Sequence, residues 1–432
     1  MQHSVTLIKD KCKGCTKCIK KCPTEAIRVR RGRAIIMDER CIDCGQCIRV
    51  CPYYAKKVVH DSMERLKDFS YTIALPAPSL YGQFKNLDSI DQVLNGLLKI
   101  GFDQVYEVSV GAEMLSNFMR LNKMEMPSET PLISSACPAI VRLICMRFPK
   151  LIDNIIQYKA PMEIAAIYAR EEAMAKTGFA SEQIGIFFIT PCPAKVTAIQ
   201  SCEHSQQPVI DGAFSMTDIY IKLLQKMERN NVPRLARGRA AGIGWAISGG
   251  ELSATDVQES LAVDDIEHVI AVLDDVEDGK LPHVQFLELS ACNQGCVGGC
   301  LAIENPYVAK ARIRKLITQV QATESEMPVQ YLQKERFLSD KPLKENSVWQ
   351  LAEDRIVAME RFQKVSALKE LLPGLDCGSC GTPSCRALAE DVVMGIASED
   401  DCIFRVRERM QNITETGDTD EYLPPPFRKC KE

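Results

Sequence analysis

The sequence predicts an α/β core with mixed and parallel sheets, a small α+β domain before it and a small, mostly helical domain after it. Three observations carry this expectation. Across residues 71–320 short apolar runs alternate with amphipathic stretches, the pattern of strands joined by crossover helices. Residues 1–65 hold an internal repeat, CKGCTKCIKKCP and CIDCGQCIRVCP, interleaved with short β-like pieces. A third cysteine group at 377–402 follows a long helical stretch.

Taken in order, 4–8, 26–29 and 34–37 read as the β pieces of the first domain, and each cysteine run leads into a short helix. In the core, 72–75, 104–108, 132–135, 183–189, 268–273 and 284–289 read as buried strands. The stretches 89–100, 138–148, 161–177 and 215–228 read as amphipathic helices. The polar segment 322–346 reads as a linker, 347–371 as a helix, and the chain from Thr414 as a mobile tail. The expected domains are 1–65, 66–321, a linker and helix over 322–358, 359–420, and a tail at 421–432.

The chain has 432 residues, enough for about three domains at roughly 150 residues each. With 46% hydrophobic and 25% charged residues it is neither disordered nor fibrous. The unusual count is 20 Cys. The opening MQHSVTLIKDKCKGC carries no secretory pattern, and no run of about 18 apolar residues occurs, so the expectation is a cytoplasmic protein without a membrane span. Intracellular thiols stay reduced, and so many cysteines then point to metal ligation rather than disulfides.

Charge is unevenly placed. Residues 1–65 carry 15 Lys+Arg against 7 Asp+Glu, a net +8, and the remainder is −12. Two readings stay open: the basic residues offset anionic clusters nearby, or they form a face that steers an acidic redox partner such as ferredoxin. The basic stretch 234–239 reads as a solvated face, and no nucleic-acid module is recognisable.

Cys12, Cys15, Cys18 and Cys22-Pro23, then Cys41, Cys44, Cys47 and Cys51-Pro52, follow C-x2-C-x2-C-x3-C-P twice. Three closely spaced thiolates wrap one face of an iron–sulfur cubane, and the fourth of each run ligates the other cluster. One [4Fe-4S] cluster is therefore expected on Cys12, Cys15, Cys18 and Cys51, the second on Cys41, Cys44, Cys47 and Cys22. Zinc sites use pairs of cysteines rather than triplets with a distant Cys-Pro. Cys377, Cys380, Cys385 and Cys402 form a third group suited to a single cubane, with a four-cysteine zinc knuckle as the alternative. This group resembles the small iron–sulfur domain appended to electron-transfer and corrinoid proteins of anaerobes.

The middle cysteines are scattered: Cys137 in SSACPAI, Cys192 in TPCPAK, and Cys292 with Cys296 in LELSACNQGCVGGC. These motifs resemble the H-cluster domain of the [FeFe]-hydrogenases, whose signatures approximate TSCCP, MPCxxKxxE and ExMxCxxGCxxGG. The resemblance covers residues 1–320. It implies that Cys137, Cys192, Cys292 and Cys296 hold a cubane, and that Cys296 bridges to a diiron subsite carrying CO, cyanide and a dithiolate. It implies that Lys195 donates a hydrogen bond to an iron-bound cyanide and that Ala77 and Pro78 pack near the dithiolate. Gly295, Gly298 and Gly299 would let backbone approach the cofactor. With three further [4Fe-4S] clusters, the implied activity is H2 oxidation and proton reduction after loading by hydrogenase maturation factors.

The motifs also depart from the family pattern. Ala136 replaces the proton-relay cysteine, Ala198 replaces the carboxylate closing the second motif, and Ser116 and Asn117 stand where a relay glutamate is expected. Thr190 and Ser290 replace two methionines, as polar groups able to bond the diiron ligands. Together with the C-terminal cluster domain, these changes resemble the sensory branch of the family, which implies slow H2 chemistry read out by a signalling partner protein. An ordinary bidirectional ferredoxin-linked hydrogenase and a hydrogenase-like iron–sulfur assembly protein without a diiron site remain the alternatives. Cys145, at helical spacing, reads as a core residue, while Cys202, Cys300 and Cys430 receive no role.

On this reading, protein reconstituted without maturation factors carries about 16 iron atoms per chain, four for each of four cubanes, and the matured protein about 18. About 12 iron with zinc at 377–402 removes the C-terminal cubane. If the basic face steers an acidic carrier, reduction slows steeply as ionic strength rises from low to physiological, because screening shortens the reach of surface charge. A salt-independent rate leaves those cations only their local role.

Overall fold

The computed structural model describes residues 3–122, 131–228, 230–255, 257–321 and 333–413. The expected tail from 414, with Cys430, and the linker residues 322–332 lie outside them. The described chain forms two compact units that do not follow chain order. The larger comprises Met1–Thr6, Ile42–Gly45 and Val58–Asn346, the smaller Leu7–Cys41, Gln46–Lys57 and Ser347–Glu432.

The larger unit is an α/β domain built on parallel sheets. Strand Ile184–Thr190 (IGIFFIT) is buried at every position and pairs in parallel with Tyr71–Pro76, Tyr71 opposite Ile184 through Pro76 opposite Ile189. Gln104–Val105 extends this sheet on one side and Gly212–Ser215 on the other, both parallel. A continuous apolar strand is what a parallel sheet covered on both faces requires. Phe187 stacks on Phe214 at 4.9 Å and meets Phe69 edge-on at 5.6 Å, filling one covered face. A second parallel sheet runs Ser260–Asp264, Phe286–Ser290, Leu132–Ile133.

These strands aim the site cysteines. The strands ending at Ile133, Thr190 and Ser290 are followed within four residues by Cys137, Cys192 and Cys292, at the carboxyl ends where open parallel sheets bind ligands. Cys137 caps helix Pro138–Arg147 and Cys192 caps helix Pro193–Ser201. In each the next residue is proline, whose fixed φ and missing N–H suit the first helical turn.

Three expected elements differ. Residues 268–273 are not a strand but the middle of helix Ile266–Glu277. Its apolar residues Ile266, Val269, Leu273 and Val276 fall on one helical face, and Asp265 caps it by accepting the Glu267 N–H. The strand expected over 104–108 stops at Val105, because helix Val108–Leu121 begins there. The helix expected from 347 starts at Arg355, where the Asp354 carboxylate accepts the Ile356 and Val357 N–H groups at 2.8 and 3.0 Å.

The smaller unit contains the cysteine repeat apart from Ile42–Gly45. Ile27–Arg30 and Arg33–Ile36 form an antiparallel hairpin whose two-residue turn, Arg31 (φ 49°) and Gly32 (φ 71°), has positive φ at both positions, as a tight turn matched to strand twist needs. The repeat is structural as well as sequential: the Ala26 N–H donates to Cys22 Sγ at 3.2 Å, and the Ala55 N–H to Cys51 Sγ at 3.3 Å. In the C-terminal part, helix Arg355–Leu371 packs on helix Cys385–Val393 over Val365, Leu388 and Ala389. The hairpin holds this part by two devices. Val29 N–H donates to Gly381 C=O at 2.8 Å, and Gly381 (φ 80°) sits so close that a Cβ there meets Val29 O at 2.0 Å. Asp391 accepts from Arg28 Nε at 2.8 Å and Nη2 at 3.1 Å, and from Arg30 Nη2 at 2.7 Å.

The Arg28 and Asp391 side chains are 5% and 7% exposed, so removing one partner leaves a buried uncompensated charge. Asp391→Ala therefore destabilises the protein by about 3–5 kcal/mol. The same change at exposed Asp400 costs at most about 1 kcal/mol. Chemical denaturation of the two variants checks this; equal midpoints contradict it.

Candidate metal centre

One cavity in the larger unit gathers Cys137, Cys192, Cys292 and Cys296 from three loops, with about 890 Å³ free of protein atoms and partly open to solvent. Lys195, one helical turn beyond Cys192, points into it, with Nζ 4.0 Å from Cys296 Sγ. Burial opposes the lysine charge, but Cys296, Cys192, Cys137 and Cys292 outweigh that and hold its pKa above the ordinary value. The thiols show the reverse. Burial pushes Cys137 up, and burial with Cys137 beside it pushes Cys192 up to about 12. Such thiols ionise only when a cation compensates, and a bound metal is the usual one. A half-buried ammonium facing four cysteines fits an anionic thiolate-held cluster.

Ala77, Pro78, Ala136 and Ser290 line the same cavity. Thr190 does not: its hydroxyl donates to Cys192 C=O and accepts the Cys192 N–H, so it shapes the cysteine turn. The motif glycines are required by neighbouring backbone. A Cβ on Gly299 meets Pro191 O at 2.4 Å, on Gly298 Asn293 O at 2.1 Å, and on Gly295 (φ 84°) Ser248 N at 2.6 Å. Ser116 is buried; it accepts the Trp245 indole N–H at 2.9 Å and so fixes a cavity wall. Asn117 instead accepts from Arg120, and Ala198 is buried in its helix.

Sequence reading missed two carboxylates. Glu251 and Glu288 line the cavity with Ala136. Ser134 Oγ donates to Glu251 Oε2 at 2.6 Å and accepts the Ala136 N–H at 3.2 Å. Glu288 accepts the Gly249 and Leu252 N–H groups at 2.9 and 3.0 Å. Burial, and then the neighbouring Glu288, push the Glu251 pKa upward. Glu288 opens the motif LELSACNQGC, a signal that was available; Glu251, on the short helix Gly250–Thr255, had none.

Asp43 fastens the loop carrying Cys44. Fully buried, it accepts the Ser4 and Val5 N–H groups at 3.1 Å and the Thr197 hydroxyl at 2.8 Å, and it pairs with Arg142 at 3.3 Å. Arg142 and Thr197 belong to the helices that start at Cys137 and Cys192. Next to it, Cys300 Sγ lies 2.6 Å from where a Gly45 Cβ would stand. Cys145 is buried in helix Pro138–Arg147, and Cys202 ends helix Pro193–Ser201 in a left-handed conformation.

In the smaller unit Cys12, Cys15, Cys18 and Cys51 line a second cavity with Lys56. Cys22 accepts the Ala26 N–H, Cys47 is buried and Cys41 is half-buried; Cys44, in the larger unit, is half-buried too. Cys380, Cys385 and Cys402 share one apolar cluster at the C-terminal end, where Asp376 accepts the Cys385 N–H at 2.6 Å; Cys377 is half-buried nearby in sequence.

A thiolate-lined cavity at the carboxyl ends of a parallel α/β sheet, together with a dicluster cysteine repeat, defines the class as an iron–sulfur protein. The comparisons agree and support the iron-only hydrogenase family. Residues 70–255 match the model for the iron-only hydrogenase large subunit, C-terminal domain; residues 4–52 match a 4Fe-4S dicluster domain, and 372–404 an Fe-S cluster model. Iron hydrogenase 1 of Clostridium pasteurianum is 25% identical over 368 residues, covering 68% of this chain and 64% of that protein, so the match spans just under two thirds of the relative's length. Structures of [FeFe]-hydrogenase HydA1 from Chlamydomonas reinhardtii (13% identity, TM-score 0.46) and of HydA(deltaEFG) (14%, 0.45) each cover 64% of this chain and 95% of theirs. Among the described residues no helix is long and apolar enough to cross a membrane.

Gly299→Ala forces the Cys296 loop away from Pro191, an overpacking that costs about 1–3 kcal/mol. The expected result is a lowered thermal midpoint and a cysteine cavity that binds iron less completely. The same change at Gly279, where nothing lies within 4 Å of a Cβ, leaves iron content unchanged. Equal iron in both variants contradicts the packing argument.

Proposed function

We propose that this protein is a sensory-type [FeFe]-hydrogenase, in which an H-cluster held by Cys137, Cys192, Cys292 and Cys296 carries slow, reversible H2 oxidation. The observation that carries this reading is the half-buried Lys195 among four cysteines in one cavity. When bound, the cluster supplies the redox chemistry of H2. The protein's part is to hold and orient it: Cys296 would bridge to the diiron subsite, Lys195 would donate to a cyanide, and Ala77 and Pro78 would wall the dithiolate side.

Ala136 has no labile proton, and its methyl lines the cavity where the family's relay thiol is expected. Carboxylates replace the thiol route. Burial, and then the neighbouring Glu288, push the Glu251 pKa up to about 8, and Ser134 is bonded to it, so the carboxyl can hold and release a proton. Ser134 and Glu251 thereby join the Ala136 backbone to a buried acid, and slow turnover fits a relay that begins beside a methyl group. Three further [4Fe-4S] clusters on the remaining cysteine groups would exchange electrons with an acidic carrier, and the H2-dependent state would be read by a signalling partner.

Infrared spectra of the matured protein test the centre. Bands of bound CO and cyanide are expected, and their absence after maturation, with full cubane iron, favours the assembly-protein alternative. Rates test the role. Wild-type H2 oxidation and evolution well below those of catalytic hydrogenases in the same assay are expected, and equal rates assign an ordinary hydrogenase. Glu251→Gln lowers turnover roughly a hundredfold, within the range of a lost general acid–base. An undiminished rate removes Glu251 from the proton route.

A further inference from the structure

The two halves of the cysteine repeat differ in the residue that follows the alanine bonded to each Cys-Pro cysteine. Cys22-Pro-Thr-Glu-Ala26-Ile27 corresponds to Cys51-Pro-Tyr-Tyr-Ala55-Lys56. The correspondence is physical, since Ala26 and Ala55 make the same N–H to Sγ bond to their cysteines. Ile27 is an ordinary core residue, 2% exposed. Its counterpart Lys56 is 6% exposed, and its Nζ is buried with no hydrogen-bond partner among the described residues. The side chain lines the cavity formed with Cys12, Cys15, Cys18 and Cys51. An unpaired buried ammonium costs several kcal/mol unless an anion joins it. Four thiolates around an iron–sulfur core supply that anion, so this donor set and this cation fit one another.

We propose that Lys56 makes the two N-terminal cubanes unequal, raising the reduction potential of the cluster on Cys12, Cys15, Cys18 and Cys51 so that it accepts an electron first. The inference rests on the dicluster reading of residues 1–65. Net charge and hydrogen bonds to sulfur set cluster potentials, and a buried ammonium beside the thiolates favours the more negative, reduced core. Reduction adds one electron from a low-potential one-electron donor such as a viologen, and no bond forms or breaks. Burial keeps the interaction from being screened by salt. Exposed lysines around the same cysteines (Lys9, Lys11, Lys13 and Lys17) act in the same sense, but their charge is screened. The corresponding cluster of the other half has isoleucine in place of the ammonium. Lys56 is a tuning residue rather than a cluster ligand.

The test is an electron paramagnetic resonance redox titration of full-length reconstituted wild type, Lys56→Met, Lys56→Gln, Lys56→Arg and Ile27→Met. In Lys56→Met one cubane becomes at least tenfold harder to reduce, which for a one-electron couple is about 59 mV. The other cubanes keep their midpoints. Lys56→Arg retains most of the wild-type value, and Ile27→Met moves no midpoint by as much as Lys56→Met does. A Lys56→Met protein with full iron and wild-type midpoints overturns the proposal. If Lys56→Met fails to hold its iron, Lys56→Gln decides, since it keeps a donor without the charge: a lowered midpoint supports the proposal and an unshifted one overturns it. Iron and sulfide too low for a dicluster in the wild type overturn the dicluster reading itself, before any variant is compared.

Discussion

The larger unit is organised around one cation set inside its cavity. Lys195 is half-buried and lines the cavity, and the neighbouring cysteines Cys296, Cys192, Cys137 and Cys292 favour its charged form against desolvation. Those cysteines lie on three loops far apart in sequence, so the loops must close together for the lysine to be tolerated. Parallel strands ending at Ile133, Thr190 and Ser290 set the positions, and prolines after Cys137 and Cys192 turn the chain at once into helices. The glycines of the last motif let Pro191, Asn293 and Ser248 press against it. Asp43 reaches into both cysteine-capped helices and fixes the loop of Cys44 to the same framework. The centre is thus a property of the whole unit, and local changes at any of these supports reach it.

The iron–sulfur character of the first and last cysteine groups was legible from spacing, and the 4Fe-4S dicluster and Fe-S models match there. The strand Ile184–Thr190 was legible because a doubly covered strand must be apolar throughout. The helix at Ile266–Glu277 was misread because HVIAVL, taken alone, is a short β-branched run of strand length. Its cap at Asp265 and the spacing on to Val276 decide the matter, and both lie outside that window. Thr190 was expected only as a polar replacement able to bond diiron ligands; its hydroxyl bonds the backbone of the Cys192 turn, a contact that the motif does not reveal.

The acid–base groups of the cavity illustrate a different limit. Reading along the chain compares positions with positions, so a relay thiol replaced by Ala136 appears as a gap. In three dimensions the gap borders Glu251, 115 residues further along the chain, which reaches Ala136 through Ser134. A proton path constrains where oxygen atoms lie, and many different segments can supply them. Cluster ligation has no such freedom, because it requires sulfur at set distances. Chemistry that tolerates substitution by position is the chemistry a single sequence hides best.

The clasp of Arg28 and Arg30 on Asp391 joins the beginning of the chain to a residue near its end. The two partners stand 363 positions apart, yet both belong to the smaller unit. The hairpin and the C-terminal helices therefore reach charge balance only together, since either one alone leaves a buried group uncompensated. A fault in one segment is felt in the other, and the smaller unit is held or lost as a whole.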